Sequence, residues 1–369
     1  MNVAAKPFRI DHVGSLLRPP ALRRARTDWM AGHLRHEALT AIEDQAIREA
    51  VVLQERAGLA VITDGEFRRV SWRDGFFESV DGFSAERDPA DFEFRLAGGK
   101  RQRAAPVPRV IGRLVRRKGI ASHEFAFLKT VTDRTPKVTL PAPSVMHFFR
   151  GRQAIDPAVY PDVEAFMSDV SRIYREELAE LAALGCTYVQ FDEVALPILC
   201  DEGIRAFLAS RGDDVDQTIG LYIDALNAAL ADRPAGMTVV LHMCRGNVGE
   251  GMGSGGYEPI AERAFSEINV DGFLLEYDRA GTGGFDPLRH VPTNKIALLG
   301  LISTKQREIE SEDYVKARLD EAARHLDLRR AGLCPQCGFA SGYRTDRMSV
   351  DDEERKLAQL VRLGALLPD

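Results

Sequence analysis

The sequence predicts an α/β fold and, within that class, a single (β/α)8 TIM barrel. Three observations carry the prediction. Short β-branched runs alternate with helical patterns along the chain. The same turn chemistry recurs at "ERAGLAVITDGE" (55–66), at "ALGCTYVQFDE" (183–193) and at "RRAGLCPQCGF" (329–339), each placing a Gly between a helical stretch and a strand. The alternation repeats to eight strands, the number of a closed parallel barrel. A chain of 369 residues is about twice a typical domain, yet a barrel takes that length as one, so a single domain over 1–369 is expected. A doubly wound open sheet is the competing architecture.

Eight strands are read in order: 8–14, 60–64, 137–141, 187–191, 238–243, 272–276, 296–302 and 332–336. Helical patterns cover 37–57, 162–184, 215–231, 255–268, 310–330 and 350–365. In the first of these, Leu39, Ile42, Ala46, Ala50 and Leu53 repeat at a 3-4-4-3 spacing and so share one face. Between the second and third strands, residues 84–136 include "RLAGGKRQRAAPVPRVIGRLVRRKG", dense in Arg and Lys and without helical period. This stretch reads as an irregular basic insertion. It is either a solvated protrusion or a lid meeting an anionic ligand or a neighbouring subunit.

Composition narrows the classes. A net charge of -6 argues against nucleic acid as the main partner. No stretch is apolar and long enough to span a membrane, and "MNVAAKPFRIDHVGS" lacks the apolar core of a signal peptide. A cytoplasmic protein is expected, with Cys186, Cys200, Cys244, Cys334 and Cys337 as thiols or metal ligands rather than disulfides. Oligomeric state leaves no mark in the sequence.

The strand ends offer Ser15, Asp64 with Glu66, Asp192 with Glu193, His242 with Cys244, Glu276, Ser303 with Lys305, and Cys337. Positions i and i+2 of a strand point to one face, so His242 and Cys244 in "VVLHMCRGN" can reach one ion. Alone, such a pair is better explained by packing. With Glu276 and Cys337 ending other strands, the set becomes N, S, O and S, which suits tetrahedral Zn²⁺ and disfavours Mg²⁺ or Ca²⁺. Cys334 is expected to face away from the site, and Cys186 and Cys200 to be small core residues. Asp192 and Glu193 are neighbours on a strand, so one of them should enter the pocket, where a carboxylate can receive an amine or guanidinium. Asp192 could equally cap a helix. "DHVGS" offers a Gly-Ser turn whose N–H groups suit a carboxylate.

From "DHVGSLLRP" to "CPQCGFAS", through "GLAVITDGEFRR", "YVQFDEVAL" and "VVLHMCRGN", the chain resembles the catalytic C-terminal barrel of cobalamin-independent methionine synthase and its short stand-alone relatives. The resemblance implies zinc ligands at His242, Cys244, Glu276 and Cys337. It implies that Asp74 and Asp192 hold the amino group of homocysteine, and that Val13, Gly14 and Ser15 receive its carboxylate. Zinc then keeps the substrate sulfur as a reactive thiolate.

Three departures stand out. The second, N-terminal barrel of the full-length enzyme is absent. The stretch "VTLPAPSVMHFF" lacks the tryptophan that in the family lies against the folate. Lys305, in "GLISTK", stands near the place of the family's proton-donating histidine, and His290 precedes the strand and does not replace it. The expectation is a zinc-dependent thiol S-methyltransferase, with Lys305 as proton donor or anion contact. Homocysteine is the expected thiol, and methyltetrahydrofolate or another carrier the donor. The competitors are an alkyltransferase of the same fold acting on a coenzyme M-type thiol, a zinc hydrolase, and a non-enzymatic metal or thiol binder.

Overall fold

Parallel strands joined by helices form the framework, as the alternation requires. The computed structural model describes residues 8–249, 251–345 and 347–368, so residues 1–7, 250, 346 and 369 of the expected 1–369 domain lie outside the description. In chain order the strands are β1 (Val61–Ile62), β2 (Val80–Asp88), β3 (Glu93–Arg95), β4 (Arg101–Arg103), β5 (Val107–Arg116), β6 (Thr135–Pro136), β7 (Val138–Pro141), β8 (Tyr188–Glu193), β9 (Thr238–Met243), β10 (Gly272–Glu276), β11 (Ile296–Ile302) and β12 (Ala331–Pro335).

A six-stranded parallel sheet runs from β7 to β12 in chain order. At one end β6, one residue before β7, pairs in parallel with β1; at the other, Ile10 bridges Leu333 of β12. The segments thus follow the order of a barrel, but the expected closed barrel is not seen as a continuous ladder. Among the described residues no ladder joins the Ile10 segment to β1. The expected first strand, 8–14, reduces to that one bridge. The cause is local. The Gln54 amide donates to the Thr63 carbonyl and accepts from the Thr63 N–H, both at 2.9 Å, so a side chain takes the place of a neighbouring strand. What spans the seam is Leu16 N–H to the Gly65 carbonyl at 3.1 Å and Thr63 Oγ1 to the Gly14 carbonyl at 2.6 Å.

One apolar layer is fed from around this framework by Val13, Val61, Tyr188, Val240, Leu274, Leu298 and Cys334, all buried. Five helices match expectation closely: His36–Arg56, Val163–Ala183, Val215–Ala229, Glu258–Glu267 and Val350–Leu363. The expected helix 310–330 stops at Ala322, and Leu328–Arg330 is a separate 3-10 turn. Gly58 and Gly185 take the left-handed conformation foreseen for them, at φ 91° and 94°. Gly332 does not. It lies within β12, where a Cβ would sit 2.4 Å from the Arg9 carbonyl, so close backbone approach rather than a cap requires glycine.

The stretch 84–136 is not irregular. β2 pairs antiparallel with β5, β3 pairs antiparallel with β4, and Ser122–Leu128 is helical. In β5, Val110 and Leu114 are buried while Arg109 and Arg113 are exposed, a period-two pattern that the arginines obscure. No helix of the described residues is long and apolar enough to cross a membrane.

Candidate metal and substrate site

Because the strands are parallel, their C-terminal ends lie together. β8 ends with Asp192 and Glu193, β9 delivers His242 and then Cys244, β10 ends at Glu276, and Cys337 follows the end of β12. Asp192 is paired with His242 across β8 and β9, and His242 with Leu274 across β9 and β10. The structure brings His242, Cys244 and Cys337 together, with ligand atoms all within 4.8 Å of one another and all three residues buried.

The donor set fits Zn²⁺. His242 Nδ1 lies 3.2 Å from the Leu274 carbonyl, which favours the proton there. Nε2 is then left with its lone pair, buried and without a hydrogen-bond partner among the described residues. The Cys337 thiol, with His242 next in effect, holds Cys244 well below the ordinary thiol range against the opposing effect of burial. The Cys244–Cys337 contact together with burial pushes Cys337 up, so the pair shares a proton that a cation would displace.

Glu276 is not in that cluster. Its Oε1 accepts from Lys305 Nζ at 3.0 Å, and its Oε2 accepts from the Arg245 N–H at 2.9 Å and faces Arg245 Nη1 at 3.4 Å. Burial alone would raise its pKa, but Lys305 and Arg245 hold it below the usual carboxylate value. Lys305 is thus occupied with Glu276 and does not line the cavity described next.

A cavity of about 570 Å³ opens on the cluster. Val13, Ser15, Asp192, His242, Cys244 and Cys337 line it, and so does Glu66. Gly14 and Asp74 do not. Asp74 begins the helix Asp74–Ser79, and its carboxylate accepts from Arg87 Nη1 at 2.8 Å. Glu66 is the carboxylate that sequence reasoning left unassigned. It is held at φ 59°, a conformation rare outside glycine, with Oε1 accepting from Thr139 Oγ1 at 2.8 Å and Oε2 buried without a partner among the described residues. Its place at a strand end in "VITDGE" was the available signal. Burial pushes the Asp192 carboxyl up to about 7; His242 opposes this and Glu66 adds to it. Of the two neighbours on β8, Asp192 enters the cavity. Glu193 instead accepts from Ser144 Oγ and from the Leu196 N–H at 2.9 Å, so the helix-capping contact falls to Glu193. Cys334 Sγ lies 3.6 Å from the Leu298 carbonyl, away from the cluster, and Cys186 and Cys200 are buried in the core.

The outer wall is apolar and basic. Trp72 and Phe149 line it, and the β3–β4 ribbon adds Phe94, Gln102 and Arg103. Phe94 lies so close to Gly246 that a Cβ there would sit 2.6 Å from the ring, and Arg95 is fixed to Asp201 at 2.8 Å. The β3–β4 part of the basic stretch therefore forms part of the cavity wall. Trp72 supplies an indole from the loop after β1, a place that pattern reading had not singled out.

The family described as cobalamin-independent synthase, catalytic domain, matches residues 9–353. The uncharacterised protein YxjG of Bacillus subtilis is 36% identical over 361 residues, which cover 97% of this chain and 94% of that protein. A Listeria monocytogenes structure, described as a candidate vitamin-B12 independent methionine synthase, superposes with a TM-score of 0.76 at 30% identity over 98% of both chains. The B12-independent methionine synthase of Shewanella sp. W3-18-1, solved with selenomethionine, is alike in fold, with a TM-score of 0.74 at 23% identity over 97% of this chain and 96% of that one.

Proposed function

The chain belongs to the cobalamin-independent synthase family, to which its catalytic-domain match over residues 9–353 assigns it, and from that premise we propose that it is a zinc-dependent methyltransferase making methionine from homocysteine. A methyltransferase role follows from the family. The metal, the thiol and the donor are our reading, as is the whole chain working as one (β/α)8 domain in the cytoplasm.

The carrying observation is that His242, Cys244 and Cys337 converge on the same cavity wall as Asp192 and Glu66. The three would hold Zn²⁺, with Glu276 as the exchangeable fourth ligand once it leaves Lys305. A bound zinc ion supplies a Lewis acid that stabilises a thiolate near neutral pH. Asp192 and Glu66 hold the substrate ammonium by charge-assisted hydrogen bonds, and the turn at Val13, Gly14 and Ser15 receives its carboxylate. These contacts fix the sulfur against the cluster and leave the outer wall for the donor. Sulfur forms its bond to the methyl carbon as the bond from that carbon to the carrier breaks, and the carrier takes up a proton. Trp72 and Phe149 offer flat apolar faces and Arg103 a cation, which suits a carrier with a ring and anionic groups, such as methyltetrahydrofolate. The two carboxylates would repel a sulfonate, which disfavours a coenzyme M-type thiol. Selenomethionine bound to the Shewanella protein agrees with methionine as product.

Zinc-edge X-ray absorption with and without L-homocysteine tests this reading. One additional sulfur in the zinc shell is expected on adding the thiol. An unchanged sulfur count would leave a hydrolase or a storage site and sink thiol activation.

A further inference from the structure

Beneath the cavity floor lies a polar chain that the reading above does not use. Lys137, between β6 and β7, is fully buried. Its ammonium has three donors and three acceptors meet them: Asp11 Oδ1 at 2.8 Å, Gln190 Oε1 at 3.0 Å and the His12 carbonyl. Asp11 is held in turn by its contacts with the Tyr188 hydroxyl at 3.0 Å and the His12 N–H at 2.7 Å. The Gln190 amide, also fully buried, spends its two N–H donors on Asp192 Oδ1 at 2.7 Å and the Val13 carbonyl at 2.5 Å.

Every donor in this chain meets an acceptor, and only one orientation of the Gln190 amide allows it. Turned over, the amide would set its NH2 against the Lys137 ammonium and its oxygen against the Asp192 carboxylate and the Val13 carbonyl. All three contacts would become repulsive in a dry interior. We propose that Lys137 and Gln190 are positioning residues: the buried ammonium locks the Gln190 amide, which aims Asp192 and the Val13 turn at the amino-acid end of the substrate. With Oδ1 engaged by Gln190, and no other side-chain hydrogen bond to Asp192 among the described residues, Asp192 keeps Oδ2 for the ligand ammonium. Lys137, its three donors all engaged, transfers no proton to substrate. Its charge acts only through Gln190.

This inference rests on the reading of Asp192 as the holder of the amino group, and the test separates the two. Calorimetric affinities are measured on the zinc-loaded protein for homocysteine and for 4-mercaptobutanoate, which lacks the amino group. The wild type should prefer homocysteine; if it does not discriminate, the reading of Asp192 falls. Gln190→Met keeps volume but removes both donors, and it should weaken homocysteine by about tenfold or more while changing 4-mercaptobutanoate much less. Zinc content should stay at the wild-type level. Dividing one affinity by the other cancels any common change in fold or in carboxylate binding. A Gln190→Met protein with undiminished discrimination, set beside a discriminating wild type, overturns the positioning role and leaves Asp192 intact. Should that variant not fold, the double substitution Asp11→Asn with Lys137→Met removes both buried charges together and frees the amide. It should also lose preference, and a retained wild-type preference there overturns the proposal equally.

Discussion

Cys244 Sγ and Cys337 Sγ lie 3.5 Å apart, although 93 residues separate them in the chain. Both are free thiols. Two thiolates on one tetrahedral zinc, each bonded at about 2.3 Å, would be ~3.8 Å apart, so a small adjustment admits the ion.

The first prediction follows from that pair. Cys337→Ser should lose most bound zinc, measured as metal content after purification. Cys334→Ser should retain it, because Cys334 turns to the Leu298 carbonyl instead. The reverse pattern would mean that the wrong cysteine of "CPQC" has been assigned.

Glu66 and Asp74 separate by the same logic. Glu66 lines the cavity, its Oε1 3.7 Å from Arg69 and its Oε2 without a hydrogen-bond partner among the described residues, whereas Asp74 lies off the cavity wall and is paired to Arg87. Steady-state kinetics should show Glu66→Gln raising KM for homocysteine by about tenfold, as befits one lost charge-assisted contact. Asp74→Asn should change it by no more than about twofold, and zinc content should hold in both proteins.

Lys305 should act through Glu276 rather than on its own. A double-mutant cycle with Lys305→Met and Glu276→Gln, read on kcat/KM, should give a coupling of about 1–2 kcal/mol, the double variant losing little more than the worse single one. Additive losses would restore Lys305 to an independent role such as proton donation.

The fourth prediction concerns stability. Burial pushes the Glu353 carboxyl up to about 8, against the opposing Leu17 N–H and Arg18. In the unfolded chain Glu353 ionises near its ordinary value of 4.5. Between these values the unfolded state binds fewer protons, so this group lowers stability as pH rises from about 4.5 to 8. Denaturant titrations should find Glu353→Gln more stable than wild type at pH 8 by up to about 4 kcal/mol, with the difference shrinking toward pH 5. A gap that widens on acidification would refute the assignment.

What the sequence determined by itself was whatever depends on local period and chain order. β-branched runs between helical patterns located seven of the eight strand positions. Because parallel strands share one end, reading only their C-termini was enough to find His242, Cys244 and Cys337. The 3.6-residue spacing located the long helices, although the break at Ala322 escaped it.

What only the tertiary structure decided depends on which side chains meet across the fold. The strand-end place of Glu66 marked it as a candidate, but only the fold sets Asp74 aside, leaving it off the cavity wall and paired with Arg87. Lys305 looked available until Glu276 came from the neighbouring strand to occupy it. Gln54 ends the β1 ladder from a helix, which no strand pattern can report. Gln190 lies within the strand "YVQFDE", yet it connects Lys137 to Asp192 in the interior. Strand position is written in nearest-neighbour chemistry, whereas the pairing of buried charges is settled by long-range register and by the cost of leaving any of them unpaired.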